Sequence, residues 1–321
     1  MFNTPVLYLV FNRPEETSKS FEVIRKLQPK KLFVAADGPR KDNLNDFLNC
    51  EKVKSIILNN IDWDCEIKTL IRNENLGCGI AVQNALNWFF DEVEMGIIIE
   101  DDIIPHNFFF MYAELLLNKY KYHEDVFSIN GCSLAYENSD YDYGITRYFN
   151  MWGWATWRRS NELVRITWPL YNKESDFNKD SEILQMLKLP ILLPQKEWFN
   201  NWSYLFDNTK KNKIDTWDYQ WIYTCLRNQM ICIRPNFNMI TNIGFNENST
   251  HTLQASHFKL IDIKIDVLNR DLKNLKGFFK IESVYEIINV AEYWNGIKIS
   301  YVSFFKKNMG FLISKIEKLK N

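Results

Sequence analysis

Gly96-Ile97-Ile98-Ile99-Glu100-Asp101-Asp102-Ile103-Ile104-Pro105 is an apolar run of strand character that ends in three consecutive carboxylates. A short apolar run bounded by turn signals reads as a buried strand. Three like charges at its end repel one another and call for a positive partner. Hard divalent cations take oxygen ligands, so a metal is the natural candidate. The competing reading is an acidic start for the next helix, favoured by the helix dipole. That role needs one carboxylate, not three.

The same arrangement recurs on either side of this stretch. Val6 to Phe11 reads as an apolar strand followed by Asn12-Arg13, Leu32 to Ala36 as a strand followed by Asp37, and Glu66 to Ile71 as a strand followed by Arg72-Asn73. Helices are expected over Pro14 to Leu27, Leu44 to Leu58, Ile80 to Val93 and His106 to Tyr120, with a further strand at Val126 to Ile129. Strands alternating with helices predict an α/β fold, a mainly parallel sheet flanked by helices on both faces. Four polar groups then share the carboxyl edge of that sheet, where open α/β sheets bind ligands.

Composition narrows the partners. The chain has 321 residues, 46% of them hydrophobic, enough for a sizeable core. A formal net charge of -1 gives no basis for nucleic-acid binding. The 11 Trp, 15 Tyr and 23 Phe serve mostly as core, but they mildly favour a carbohydrate ligand, whose rings stack on aromatic faces. Six scattered cysteines with no C-x-x-C pair read as reduced thiols of a cytosolic protein, and no Cys/His spacing suggests zinc. Met1-Phe2-Asn3-Thr4-Pro5 shows no signal-peptide pattern, and no run of about 18 apolar residues predicts a membrane span. A cytoplasmic location is the expectation.

Each candidate site residue carries two readings. Asn12, Arg13 and Asp37 sit where a nucleotide base and ribose would lie, Asp37 as an acceptor; Asn12 could equally cap a helix before Pro14, and Asp37 could be a turn residue before Gly38-Pro39. Arg72 offers a bidentate donor to phosphate, and Gly77-Cys78-Gly79 permits close backbone approach before a helix start; a surface turn is the alternative. Gly153 and Ala155 leave room for a sugar ring beside Trp152, Trp154 and Trp157, unless the segment is a tight core turn. Asp218, set between Trp217 and Trp221, suits a general base whose pKa is raised by burial, with Asp215 its nearby competitor and a helix cap the alternative role. His251, in a polar segment, could reach a metal or a diphosphate, or face solvent.

These residues resemble the GT-A family of nucleotide-sugar glycosyltransferases, in particular the N-acetylglucosaminyltransferase I type. The likeness rests on Glu100-Asp101-Asp102, Trp152-Gly153-Trp154, Trp217-Asp218-Tyr219-Gln220-Trp221 and Cys232-Ile233-Arg234-Pro235, in the family's order, and spans roughly residues 4 to 255. The run Trp152-Gly153-Trp154-Ala155-Thr156-Trp157 is similar to that of related bacterial glycosyltransferases. The resemblance implies a Rossmann-like GT-A domain over residues 1–255, with a nucleotide-sugar-binding half at 1–130 and an acceptor-side half at 131–255, then an amphipathic helical extension at 256–321. It implies a cation-dependent, inverting transferase using a nucleoside-diphosphate sugar, with Mn2+ or Mg2+ the expected cofactor; it does not carry over the donor's identity, for which a UDP-sugar is the favoured expectation. Asp102 would hold the metal; His251 is a candidate second ligand from its own placement and not from the resemblance. Glu100 and Asp101 would touch ribose or orient the loop, Asp218 would deprotonate the acceptor hydroxyl, and Trp154 and Trp217 would bind the acceptor. That acceptor would be a glycan or lipid-linked glycan of a bacterial surface. The base motif here has one Asp where the relative has two.

Two other classes compete. A metal-dependent nucleotidyl- or phosphotransferase predicts a Gly-rich basic loop near the N-terminus, which Asn12-Arg13-Pro14 is not. A non-catalytic carbohydrate-binding relative predicts loss of the carboxylate cluster, which is intact. The tail, with Lys306, Lys307, Lys315 and Lys318 among Phe304, Phe305, Phe311 and Ile316, fits either peripheral contact with an anionic membrane or a solvated helix on the core.

Overall fold

A computed structural model describes residues 1–133, 142–176, 195–244 and 277–278. Its frame is the alternation read from the sequence: β1 (Val6–Val10), α1 (Pro14–Leu27), β2 (Lys31–Ala36), α2 (Leu44–Asn59), β3 (Glu66–Ile71), α3 (Cys78–Glu92) and β4 (Met95–Glu100). After a short β5 (Ile103–Pro105) come α4 (Asn107–Lys119) and β6 (Val126–Asn130). The second half adds β7 (Tyr143–Thr146), β8 (Trp154–Trp157), α5 (Arg158–Thr167), α6 (Lys173–Asp176), α7 (Gln195–Lys210), α8 (Asp218–Arg227), β9 (Ile231–Pro235) and β10 (Ile240–Asn242), with a two-residue β11 at Gly277–Phe278.

The result is the expected α/β architecture, a Rossmann-like and mostly parallel sheet between helices. Its strand order is β11-β7-β9-β6-β8-β4-β1-β2-β3. β4, β1, β2 and β3 run parallel, and β8 lies antiparallel between β4 and β6. Alternate side chains of the buried strands feed opposite faces, as a two-residue period requires. Val6, Tyr8, Val10, Ile97 and Ile99 pack with Phe21 and Ile24 of α1, Val53 and Ile57 of α2, and Phe109 and Leu116 of α4. Leu7, Leu9, Phe33 and Ile98 pack with Leu86 and Phe89 of α3, Val164 of α5 and Trp221 of α8.

Several short strands have no counterpart in the sequence reading, among them β5, β7 and β10. β8 is the Trp-rich run, and β9 carries Cys232-Ile233-Arg234-Pro235, read only as a motif. β10 pairs antiparallel with β5 in a separate two-stranded sheet. Strands of three to five residues carry too little periodicity to identify themselves; their pairing partners define them. The proposed tail, residues 256–321, lies outside the described residues apart from β11. Among the described residues no helix is long and apolar enough to cross a membrane, and the six cysteines form no disulfide.

Candidate functional site

Because β4, β1, β2 and β3 are parallel, the residues that follow them meet on one edge. Chain connections run outward from β1 through β2 to β3, whereas β4 lies on the other side of β1. That reversal opens a crevice between the carboxyl ends of β1 and β4, the place where such sheets hold ligands. A cleft of about 350 Å3 lies here, and Asn12, Arg13, Asp37, Arg72, Glu100 and Asp101 all line it. Six residues read independently from four strand ends thus come together. Asp102, Trp154, Trp217 and Asp218 are not among its lining residues.

The acidic turn is fixed from below. Tyr8 Oη of β1 and Ser20 Oγ of α1 lie 2.5 Å apart, and Ser20 Oγ donates to the carbonyl of Asp101 at 2.8 Å. Asp101 Oδ2 accepts from the backbone N–H of Phe11 at 3.1 Å. Arg13 supplies the positive charge that the cluster needs. Its Nη1 lies 2.5 Å from Asp102 Oδ2 and 3.4 Å from Asp101 Oδ1. Even so, burial first and then the Asp102 charge push the Asp101 carboxyl up to about 7. Burial, Asp102 and Asp101 together hold Glu100 well above the usual carboxylate range. Backbone from β10 closes over Asp102: the N–H of Ile243 donates to the Asp102 carbonyl at 2.8 Å, and a Cβ on Gly244 would fall 2.1 Å from Asp102 Oδ2.

The other lining residues divide into those already bonded and those left open. Asp37 Oδ1 accepts from the N–H of Gly38 and Leu76 at 2.9 and 3.1 Å, and its Oδ2 accepts from Asn75 Nδ2 at 2.9 Å. It therefore ties the loops after β2 and β3 together. Burial raises its pKa, against the pull of those amides and of Arg72. Asn12 Nδ2 donates to Asp46 Oδ1 at 2.6 Å. Asp46 is also paired with Arg40, whose guanidinium lies over the Phe11 ring, 5.7 Å from its centre. Arg40 holds the Asp46 carboxyl below its ordinary value. Arg72 and Glu100 differ from these. Among the described residues neither side chain has a hydrogen bond or ion pair, so both face the cleft uncommitted.

Asp218 sits in the first turn of α8, where its Oδ1 accepts from Thr216 Oγ1 at 2.5 Å and from the N–H of Tyr219 at 2.8 Å. Burial chiefly holds the Cys78 thiol and Glu100 above their ordinary values, and the Asp218 charge adds to both, so its field reaches the cleft. The two tryptophans require a correction. Trp154 and Trp217, expected beside an acceptor, are 0% and 3% exposed and stack on each other at 5.7 Å and 20°. Their rings are core, packed with Phe149 and Trp221 and away from the cleft lining, and no face is open to a sugar. His251 lies outside the described residues.

Two residues escaped the sequence reading as members of the site, Arg40 and Asp46; Asp215, read only as a competitor of Asp218, lines the cleft. Arg40 follows β2 on the same sheet edge, so position alone could have flagged it. Asp46 had no signal beyond an N-terminal helix position.

A divalent cation finds suitable donors here. Among the described residues no three His, Cys, Asp or Glu side chains converge as a protein-only cage. Ions of the magnesium type are commonly held by one or two carboxylates plus substrate phosphates and water. Glu100 and Asp102 offer hard oxygen donors of that kind at one strand end.

No protein-family model and no curated protein matches the sequence. Solved structures with a partial likeness include UDP-glucose pyrophosphorylase complexed with UDP-glucose, at 11% identity over 74% of this chain and 91% of that one, TM-score 0.37. Mouse xyloside xylosyltransferase 1 in its apo form matches at 11% identity over 71% and 82%, TM-score 0.34. HddC from Yersinia pseudotuberculosis matches at 13% over 50% and 78%, TM-score 0.27. At these scores none of the three defines a family for the chain.

Proposed function

We propose that this chain is a glycosyltransferase that moves a sugar from a nucleoside-diphosphate sugar, a UDP-sugar first among the candidates, to a hydroxyl of a glycan or lipid-linked glycan. The supporting observation is the convergence of Asn12, Arg13, Asp37, Arg72, Glu100 and Asp101 on one cleft at the carboxyl edge of the sheet. Its charges suit a diphosphate. Arg72 is an uncommitted cation, and a guanidinium can grip phosphate oxygens in pairs. Asp102, with Glu100 beside it, would hold Mn2+ or Mg2+. When bound, such an ion stabilises negative charge on the departing diphosphate. Asp218 would accept the proton of the acceptor hydroxyl, and direct attack by that oxygen inverts the anomeric centre.

Screening transfer and hydrolysis over a panel of nucleotide sugars with Mn2+ tests the reading. Asp102→Ala is expected to abolish metal-dependent donor binding in calorimetry. Asp218→Asn is expected to preserve donor binding and remove turnover. Release of a nucleoside diphosphate supports this reading, whereas release of pyrophosphate would favour a nucleotidyltransferase. Donor affinity that neither Mn2+ nor Mg2+ alters would overturn the metal role.

A further inference from the structure

Helix α3 forms one wall of the cleft, yet it starts without a cap of its own. Its N-cap residue is Gly77, at φ +80°, with no side chain to accept from the exposed amides. The first N–H groups of a helix need acceptors, and an aspartate from the other half of the chain supplies them. Asp215 Oδ2 accepts from the N–H of Cys78 at 2.9 Å, and Asp215 Oδ1 from the N–H of Gly79 at 2.8 Å. A carboxylate at this end is favoured by the helix dipole.

The seat is shaped for this contact. A Cβ on Gly77 would lie 2.6 Å from Asp215 Oδ2, and one on Gly79 would lie 2.9 Å from the Thr216 carbonyl oxygen. The Gly77-Cys78-Gly79 spacing therefore admits the Asp215-Thr216 segment. Farther along the same pair of helices, Trp221 Nε1 donates to Gln83 Oε1 at 3.0 Å. The turn before α8 and α8 itself are thus each tied to α3, and Asp218 lies between the two ties, accepting from Thr216 Oγ1.

We propose that Asp215 is a positioning residue that caps α3 across the fold and so fixes Asp218 against the cleft wall. Its catalytic consequence rests on the reading of Asp218 as acceptor base. The cap itself does not. Three variants of the full chain separate the possibilities: Asp215→Ala, Asp215→Asn, which keeps one acceptor oxygen, and Gly79→Ala, which leaves the carboxylate intact but presses on Thr216. Misplacement of a catalytic group by about 1 Å costs roughly 100-fold. Turnover is therefore expected to fall about that far in Asp215→Ala and Gly79→Ala and less in Asp215→Asn, and in each to fall further than donor affinity.

Amide hydrogen exchange at 78–79 and 216–219 is expected to quicken in Asp215→Ala and, to a smaller extent, in Asp215→Asn. Asp215→Asn also serves as the readable variant should Asp215→Ala fail to fold. Unchanged exchange at 216–219, or loss of donor affinity in place of turnover, would overturn the proposal. If Asp218→Asn keeps full turnover, the base reading falls, and the exchange data still decide whether the cap exists.

Discussion

Two cleft side chains stand uncommitted among the described residues, and the chemistry of the site turns on them. Among the described residues Arg72 makes no ion pair, unlike Arg13 and Arg40, and its charge only pulls on the Asp37 carboxyl through space. A charge-assisted hydrogen bond contributes about 1.5–3 kcal/mol. Arg72→Ala should therefore weaken nucleoside-diphosphate affinity by about 10- to 100-fold in calorimetry, and Arg72→Lys should not fully restore it, since an ammonium lacks the fork. Asp101 makes a second prediction. Its folded pKa, about 7, lies above the ordinary carboxylate value, so between about pH 4 and 7 the folded state holds a proton that the unfolded chain has released. Folding stability from this group is then greatest at the acid end of that window and is lost as pH rises through 7. Urea midpoints of the metal-free protein should be higher at pH 5.5 than at 7.5, and Asp101→Asn should flatten the difference. The positions of Arg72 and Asp101 at strand ends were legible in the sequence. Their state of pairing was not, because Arg13 reaches Asp102 across 89 positions of chain.

At the scale of elements, α2 shows how local chemistry supports the site. Its N-cap Asn43 accepts from the N–H of Asn45 and Asp46 at 3.1 and 3.2 Å. Asp46 in turn holds Asn12 and Arg40 at the cleft. Removing such a cap costs about 1 kcal/mol. Asn43→Ala should lower the urea midpoint accordingly, and donor affinity should fall with it if the first turn of α2 loosens. Long helices such as α1 and α4 were legible from apolar residues at helical spacing. β5 and β10 were not, since each is only three residues long and exists through the other. The Trp-rich β8 was read for its ring chemistry, although its four residues are all buried between β4 and β6.

For the whole molecule, the two halves of the sequence build one sheet. β6 lies inside the first 130 residues, yet its neighbours are β8 and β9, both from beyond residue 150. A fragment of residues 1–130 should therefore show no cooperative unfolding by circular dichroism, because β6 and the β8 side of β4 would lose their partners. The alternation of strand and helix and the placement of polar groups after β1, β2, β3 and β4 could be read from the chain unfolded. Both follow from periodicity and turn chemistry within a few residues. It took the folded chain to show that Arg13 neutralises Asp102, that Asp37 joins two loops, that Trp154 and Trp217 are core and not surface, and that Asp215 caps α3. Those outcomes depend on which distant segments the sheet brings within hydrogen-bonding reach, and no local pattern encodes that.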